Sequence, residues 1–241
     1  MIELSPRASL RTYRLEASYT AARLSATEDT EHLAREFSEA ADRIRLLEEE
    51  LVRLDARKVQ TQAALESADD AWDDEMQGFR RRLLELCDND VDAELFRRYF
   101  ADVPSSVTEL SYGAEVMISL ELEESVAADG HPDLSALIPR LAEKRGALEV
   151  ILKEALRVEV DEARYVNRVA MAKAIVNKLR RVAVASLEEI AMSRRHSRLW
   201  TARFFLDHQE LATSLRDEDL LDPDLDEPRQ LEASFDSEPG E

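Results

Sequence analysis

From residue 31 to residue 86 the apolar side chains keep a seven-residue beat that no proline interrupts. Leu33, Phe37, Ala40, Ile44, Leu47, Leu51 and Leu54 follow one another at alternating steps of four and three. That is the seam of a helix that buries one stripe against a partner helix. Lys58 and Thr61 intrude as polar residues. The beat resumes at Leu65, Ala68 and Trp72 and, after a four-residue step, at Met76, Phe79, Leu83 and Leu86. At about 1.5 Å per residue such a helix reaches roughly 84 Å, far beyond the mean of about 11–12 residues in globular proteins. It needs a partner of comparable length.

The C-terminal half supplies one. Asp133 can cap a new segment, and Pro139 predicts a kink or restart near Ile138. From there to about Gln209 only Gly146 interrupts the helical pattern. Its seam candidates are Leu141, Leu148, Leu152 and Ala155, then Ala163, Val166, Ala170, Ala174, Leu179, Ala183, Leu187 and Ile190. An antiparallel hairpin with Leu86 beside Asp133 matches three charge blocks at once. Asp69, Asp70, Asp73, Asp74 and Glu75 meet Arg140, Lys144 and Arg145. Arg57 and Lys58 meet Asp161 and Glu162. Glu36 and Glu39 meet Arg180 and Arg181. Flanking charges of this kind select partner and register, while the apolar seam supplies most of the stability. The same register sets Gly146 against Trp72.

Between the long helices lies a small head, residues 88–132. Asp88, Asp90 and Asp92 resemble the opening of a calcium loop, but Ala93 stands where the loop needs glycine and Tyr99 where it needs glutamate. The better reading is a cap by Asp90 or Asp92 on a helix over 93–100. Leu95, Phe96, Tyr99 and Phe100 make it the densest aromatic cluster in the chain, and Val103-Pro104 stops it. Ser106 and Glu109 form a capping box for a second helix to about Ala128, with Leu110, Ala114, Met117, Ile118 and Leu122 inward. Gly130-His131-Pro132 ends it. Leu95 and Tyr99 are assigned to the head's core. Phe96 and Phe100 are candidate partner-binding residues.

Residues 7–24 read as a short basic helix, with Leu10, Tyr13, Ala17, Ala21 and Leu24 on one face. Without Trp or Phe it fits a helix packing on the base of the hairpin better than one lying on a membrane. Thr27 or Thr30 can cap the long helix that follows. Leu199, Trp200, Phe204, Phe205 and Leu206 are expected to pack on residues 7–24. Arg194, Arg195, Arg198 and Arg203 gather near Arg7, Arg11 and Arg14 as a basic surface and are further candidate partner-binding residues. Residues 216–241 hold eleven acids and two bases, with three prolines, a composition that reads as disordered.

Composition narrows the function. The formal charge of −20 argues against a protein that coats nucleic acid or anionic membrane. No run approaches the ~18 apolar residues of a membrane span, and no signal peptide is read at the start, so a cytoplasmic location is expected. The single cysteine, Cys87, rules out an intrachain disulfide and a cysteine zinc site. The histidines His32, His131, His196 and His208 fall in no Glu-x-x-His or His-Glu-x-x-His pattern. With five glycines in all, the chain has no glycine-rich phosphate loop.

The expected fold is therefore all-α: a long antiparallel coiled-coil hairpin with a small helical head and a disordered acidic C-terminal tail. Its parts are an N-terminal basic helix (1–30), a first long helix (31–87), the head (88–132), a second long helix (133–210) and the tail (211–241). The expected function is a non-catalytic scaffold or adaptor that mediates protein–protein interaction and self-assembles as a homo-oligomer. No catalytic residue, cofactor, metal or small-molecule substrate is expected, nor a nucleic acid or membrane partner. Two alternatives remain: membrane or polymer remodelling led by residues 7–24, and a nucleic-acid-associated coiled coil whose acidic tail masks the basic base.

Overall fold

The computed structural model describes residues 3–100, 111–197 and 199–206. Among these, every regular element is helical: α1 (Leu10–Ser25), α2 (Glu31–Leu86), α3 (Glu94–Phe100), α4 (Tyr112–Asp129), α5 (Pro132–Ser135), α6 (Ile138–Arg194) and a 3-10 turn (Thr201–Phe204). The fold is all-α and is dominated by two helices of 56 and 57 residues. The chain divides into two compact units, one of residues 1–51 with 165–241 and one of residues 52–164. The division cuts both long helices instead of separating head from hairpin.

In the first unit α1 starts at a Ser9 cap, whose hydroxyl accepts the Thr12 N–H at 3.1 Å. Leu10, Tyr13, Ala17, Ala21 and Leu24 are buried, so this helix spends its apolar face inside the protein. Thr30 does not cap α2 through its side chain. Its hydroxyl donates back to the Leu24 carbonyl at 2.8 Å and closes the turn. The chain's aromatic finish packs as the sequence predicts, since the Leu206 N–H bonds Glu16 of α1 and Phe204 and Phe205 are buried. Leu199 is the exception at 74% exposed. α6 stops at Arg194, about fifteen residues before the expected end near Gln209. Arg195 adopts a left-handed backbone, φ 55°, and His196 N–H returns to the Ala191 carbonyl at 2.9 Å. The turn brings His196 onto Trp200 and Trp200 onto Phe204, with ring centroids 4.5 and 4.8 Å apart.

In the second unit the seam of α2 packs as read. Leu65, Trp72, Met76, Phe79 and Leu83 are buried in one core with Leu141 and Leu148 of α6. Arg57 meets Asp161 at 2.9 Å and Lys58 meets Glu162 at 2.8 Å, the antiparallel register the charges predict. Arg140 reaches Glu75, also as predicted. Arg145 instead turns to Glu123 of α4 at 2.7 Å. Gly146 is not a small residue accommodating Trp72, because a Cβ there would meet nothing within 4 Å.

Asp88 and Asn89, both at positive φ, turn the chain out of α2. Asp90 accepts the Asp92 N–H at 2.9 Å in a turn that precedes α3. The capping box at Ser106–Glu109 lies outside the described residues. α4 begins later, on a Ser111 cap, and ends on Gly130 at φ 63°, where the left-handed backbone suits glycine. Its inward face is Glu115, Val116, Ser119, Leu122 and Val126. Met117, expected inside, is 56% exposed.

The middle seam of α6 also differs from the expected one. Val158, Tyr165, Val169, Ala172 and Val176 are buried, while Ala163, Val166, Ala170 and Ala174 are exposed. The larger side chains win the interior because each removes more apolar area from water.

Candidate functional site

α6 is apolar on two sides over residues 163–176. The buried stripe faces the interior of the first unit. The other stripe, with Val166, Ala170 and Ala174, lines a hollow of about 500 Å³ closed by Tyr13 and Leu51. Polar clamps hold its rim. Asn177 pairs with the backbone of Leu4 in both directions, accepting from its N–H and donating to its carbonyl at 3.0 Å each. Its amide also donates to the Tyr13 hydroxyl at 3.1 Å, and that hydroxyl donates to the Leu4 carbonyl at 3.1 Å. Lys173 donates to the Pro6 carbonyl at 3.2 Å and sits over the Tyr13 ring. Burial raises the Tyr13 hydroxyl above its ordinary range.

A buried ion pair lies one turn further along α6. Arg180 and Glu16 of α1 are 3.0 Å apart, with side chains 6% and 0% exposed. The Arg180 guanidinium also lies over the Phe205 ring at 5.3 Å. Burial lowers the Arg180 pKa, and the Glu16 charge opposes that shift. This pairing replaces the predicted meeting of Arg180 and Arg181 with Glu36 and Glu39, since Arg181 pairs with Glu3.

A second groove, about 400 Å³, opens on another face of the same helices, lined by Arg43, Leu46, Leu47 and Glu50 of α2 and by Arg168 and Met171 of α6. Glu50 and Arg168 pair across its floor.

In the second unit a carboxyl cluster is buried at the α2–α4 contact. Glu115 is 2% exposed, and a carboxyl oxygen of Glu115 and one of Asp69 are buried without a protein donor. Burial first, and then the Asp69 carboxyl beside it, push the Glu115 carboxyl up to about 8. Burial and the neighbouring Asp69 likewise raise Asp73. At the α3–α4 contact the Tyr99 hydroxyl donates to Asp129 at 2.7 Å. Burial and that bond push Tyr99 up to about 12, while the Tyr99 and Arg98 hydrogen bonds lower Asp129.

The structure separates the sequence-derived candidates. Phe96 is 6% exposed and stacks on Phe100 at 5.5 Å, and Phe100 packs on Phe79 at 6.2 Å. Both rings belong to the interior of the second unit. Arg194 is exposed and pairs with Asp29 at 2.8 Å. Arg195 is exposed in the turn after α6. Arg203 is exposed, and its carbonyl accepts the Arg23 guanidinium at 3.1 Å. Arg198 and the acidic tail lie outside the described residues. The hollow, the ion pair and the carboxyl cluster were missed because each depends on polar residues, Asn177, Arg180 and Glu115, at positions that an apolar count discards.

Among the described residues no group of three or more His, Cys, Asp or Glu side chains is placed to hold a metal ion. No helix among them is long and apolar enough to cross a membrane. Comparison with known protein families, with curated proteins and with solved structures found no match.

Proposed function

We propose that this chain is a non-catalytic helical scaffold or adaptor, built on antiparallel coiled-coil pairing, that works in the cytoplasm by associating with further copies of itself. The observation that carries this reading is the exposed apolar surface of the first unit. Leu46, Val166 and Met171 are 53%, 52% and 64% exposed, and all three line grooves on the long helices. Large apolar side chains clustered on a soluble surface favour association, because a second surface laid on them removes them from water. The buried face of α1 withdraws support from a membrane-surface role for residues 7–24.

Light scattering coupled to size-exclusion chromatography across a hundredfold range of concentration tests the proposal. A discrete oligomer is expected. A monomeric mass throughout that range overturns self-assembly.

A further inference from the structure

The smaller groove carries a charge pattern that is its own complement. Arg43, Leu46, Leu47 and Glu50 lie three, four and seven residues apart on α2, one face of a helix. A two-fold axis midway between Leu46 and Leu47 runs the same strip of a second copy antiparallel to the first. It sets Arg43 opposite Glu50 of the second copy and Glu50 opposite Arg43 of the second copy, and it brings the two exposed Leu46 side chains together next to the axis. On α6 the groove runs from Arg168 to Ile175, a span with its own midpoint at Met171 and Ala172, so α6 presents the same antiparallel symmetry.

We infer that this α2–α6 face is the contact between two copies of the chain, joined antiparallel about a two-fold axis near Leu46 and Leu47. The inference rests on the self-assembly reading above and names the surface that performs it. An isologous contact requires a patch that matches itself, and a cation and an acid placed symmetrically about an axis beside the exposed Leu46 meet that requirement. Arg43 is exposed and pairs with no acid among the described residues, so the second copy's Glu50 gives it a partner. Glu50 keeps Arg168 on its other side and would bridge two guanidinium groups. Met171, 64% exposed on the α6 side of the groove, gains cover from the same contact. Two copies that each carry a formal charge of −20 repel at long range. A local match of opposite charges is therefore what would select this face.

A charge-swap series read by sedimentation equilibrium tests the contact. Arg43→Glu sets like charges together at two symmetric places and is expected to weaken the dimer about tenfold or more. Arg43→Glu combined with Glu50→Arg restores opposite charges across the axis and is expected to recover most of the affinity. Met171→Asp, at an already exposed position, is expected to dissociate the dimer with the far-ultraviolet circular dichroism unchanged. An oligomer that none of these variants alters overturns the inference and leaves self-assembly standing. A dimer lost in Arg43→Glu and not regained in the double variant overturns the antiparallel pairing. A wild-type chain that stays monomeric removes both readings.

Discussion

Glu115 of α4 and Asp69 of α2 share a carboxyl cluster inside the second unit, where one oxygen of each is buried without a protein donor. An ionised carboxylate only accepts hydrogen bonds. With no donor for either buried oxygen, a proton on one of the two carboxyls is favoured over two unanswered charges. Glu115, pushed up to about 8 by burial and by the Asp69 carboxyl, is the group that keeps it.

The sign of the pH dependence follows. The folded value lies above the ordinary value of 4.5, so between those two values the folded chain binds more protons at this site than the unfolded chain. The stabilisation is therefore full below about 4.5 and is lost as the pH rises toward 8. Glu115→Gln supplies a permanent amide donor to Asp69. Relative to wild type, the variant should gain stability on the order of a few kcal/mol between pH 5 and pH 8. Urea unfolding at both pH values, followed by circular dichroism, checks this. A stability difference independent of pH would show that Glu115 holds no proton there.

The pair of Arg180 and Glu16 makes a different prediction. Both side chains are buried, so removing one strands a charge in a site that cannot hydrate it. Arg180→Met should cost about 3–5 kcal/mol. Adding Glu16→Gln removes the stranded charge and keeps an acceptor for the Leu206 N–H. The double variant should therefore be more stable than Arg180→Met alone. Chemical denaturation of the three proteins measures the difference, and strictly additive losses would mean that the two groups act independently.

Phe96→Ser separates core from docking patch in the head. The ring is buried against Phe100, and losing it should destabilise the second unit by about 3–5 kcal/mol through the cavity left behind. A variant with unchanged thermal stability would show that the ring contributes nothing to the interior.

How far the sequence speaks depends on how many apolar stripes each helix offers. α2 offers one, and every seam residue from Phe37 to Leu83 is buried or half-buried where the heptads place it. α6 offers two between residues 158 and 176. An alanine-rich stripe through Ala163, Ala170 and Ala174 competes with one through Val158, Tyr165 and Val169, and spacing alone does not rank them. What ranks them is area, together with Asn177 and Arg180, which are buried because Leu4, Tyr13 and Glu16 answer them. Such pairs are 164 or more residues apart in the chain, beyond any local pattern. The end of α6 at Arg194 has no glycine or proline to announce it. It follows from the packing of Phe204 and Phe205 on the first unit.

The charge register offers the last prediction. Lys58 lies 2.8 Å from Glu162, and Arg57 bridges Glu154 and Asp161. All five side chains are near half exposure, so each contact contributes only about 0–1 kcal/mol. Their importance is in alignment, since a slip by one turn would set Lys58 against a different set of α6 side chains. A carbodiimide, which joins an amine to a carboxylate only when the two already touch, should link Lys58 to Glu162. The linked peptide should form with the same yield at low and high protein concentration, because both groups belong to one chain. Lys58→Glu should abolish the link while lowering stability by no more than about 1 kcal/mol. A link whose yield rises with concentration would mean that the long helices pair between chains, and the intramolecular antiparallel register would fall.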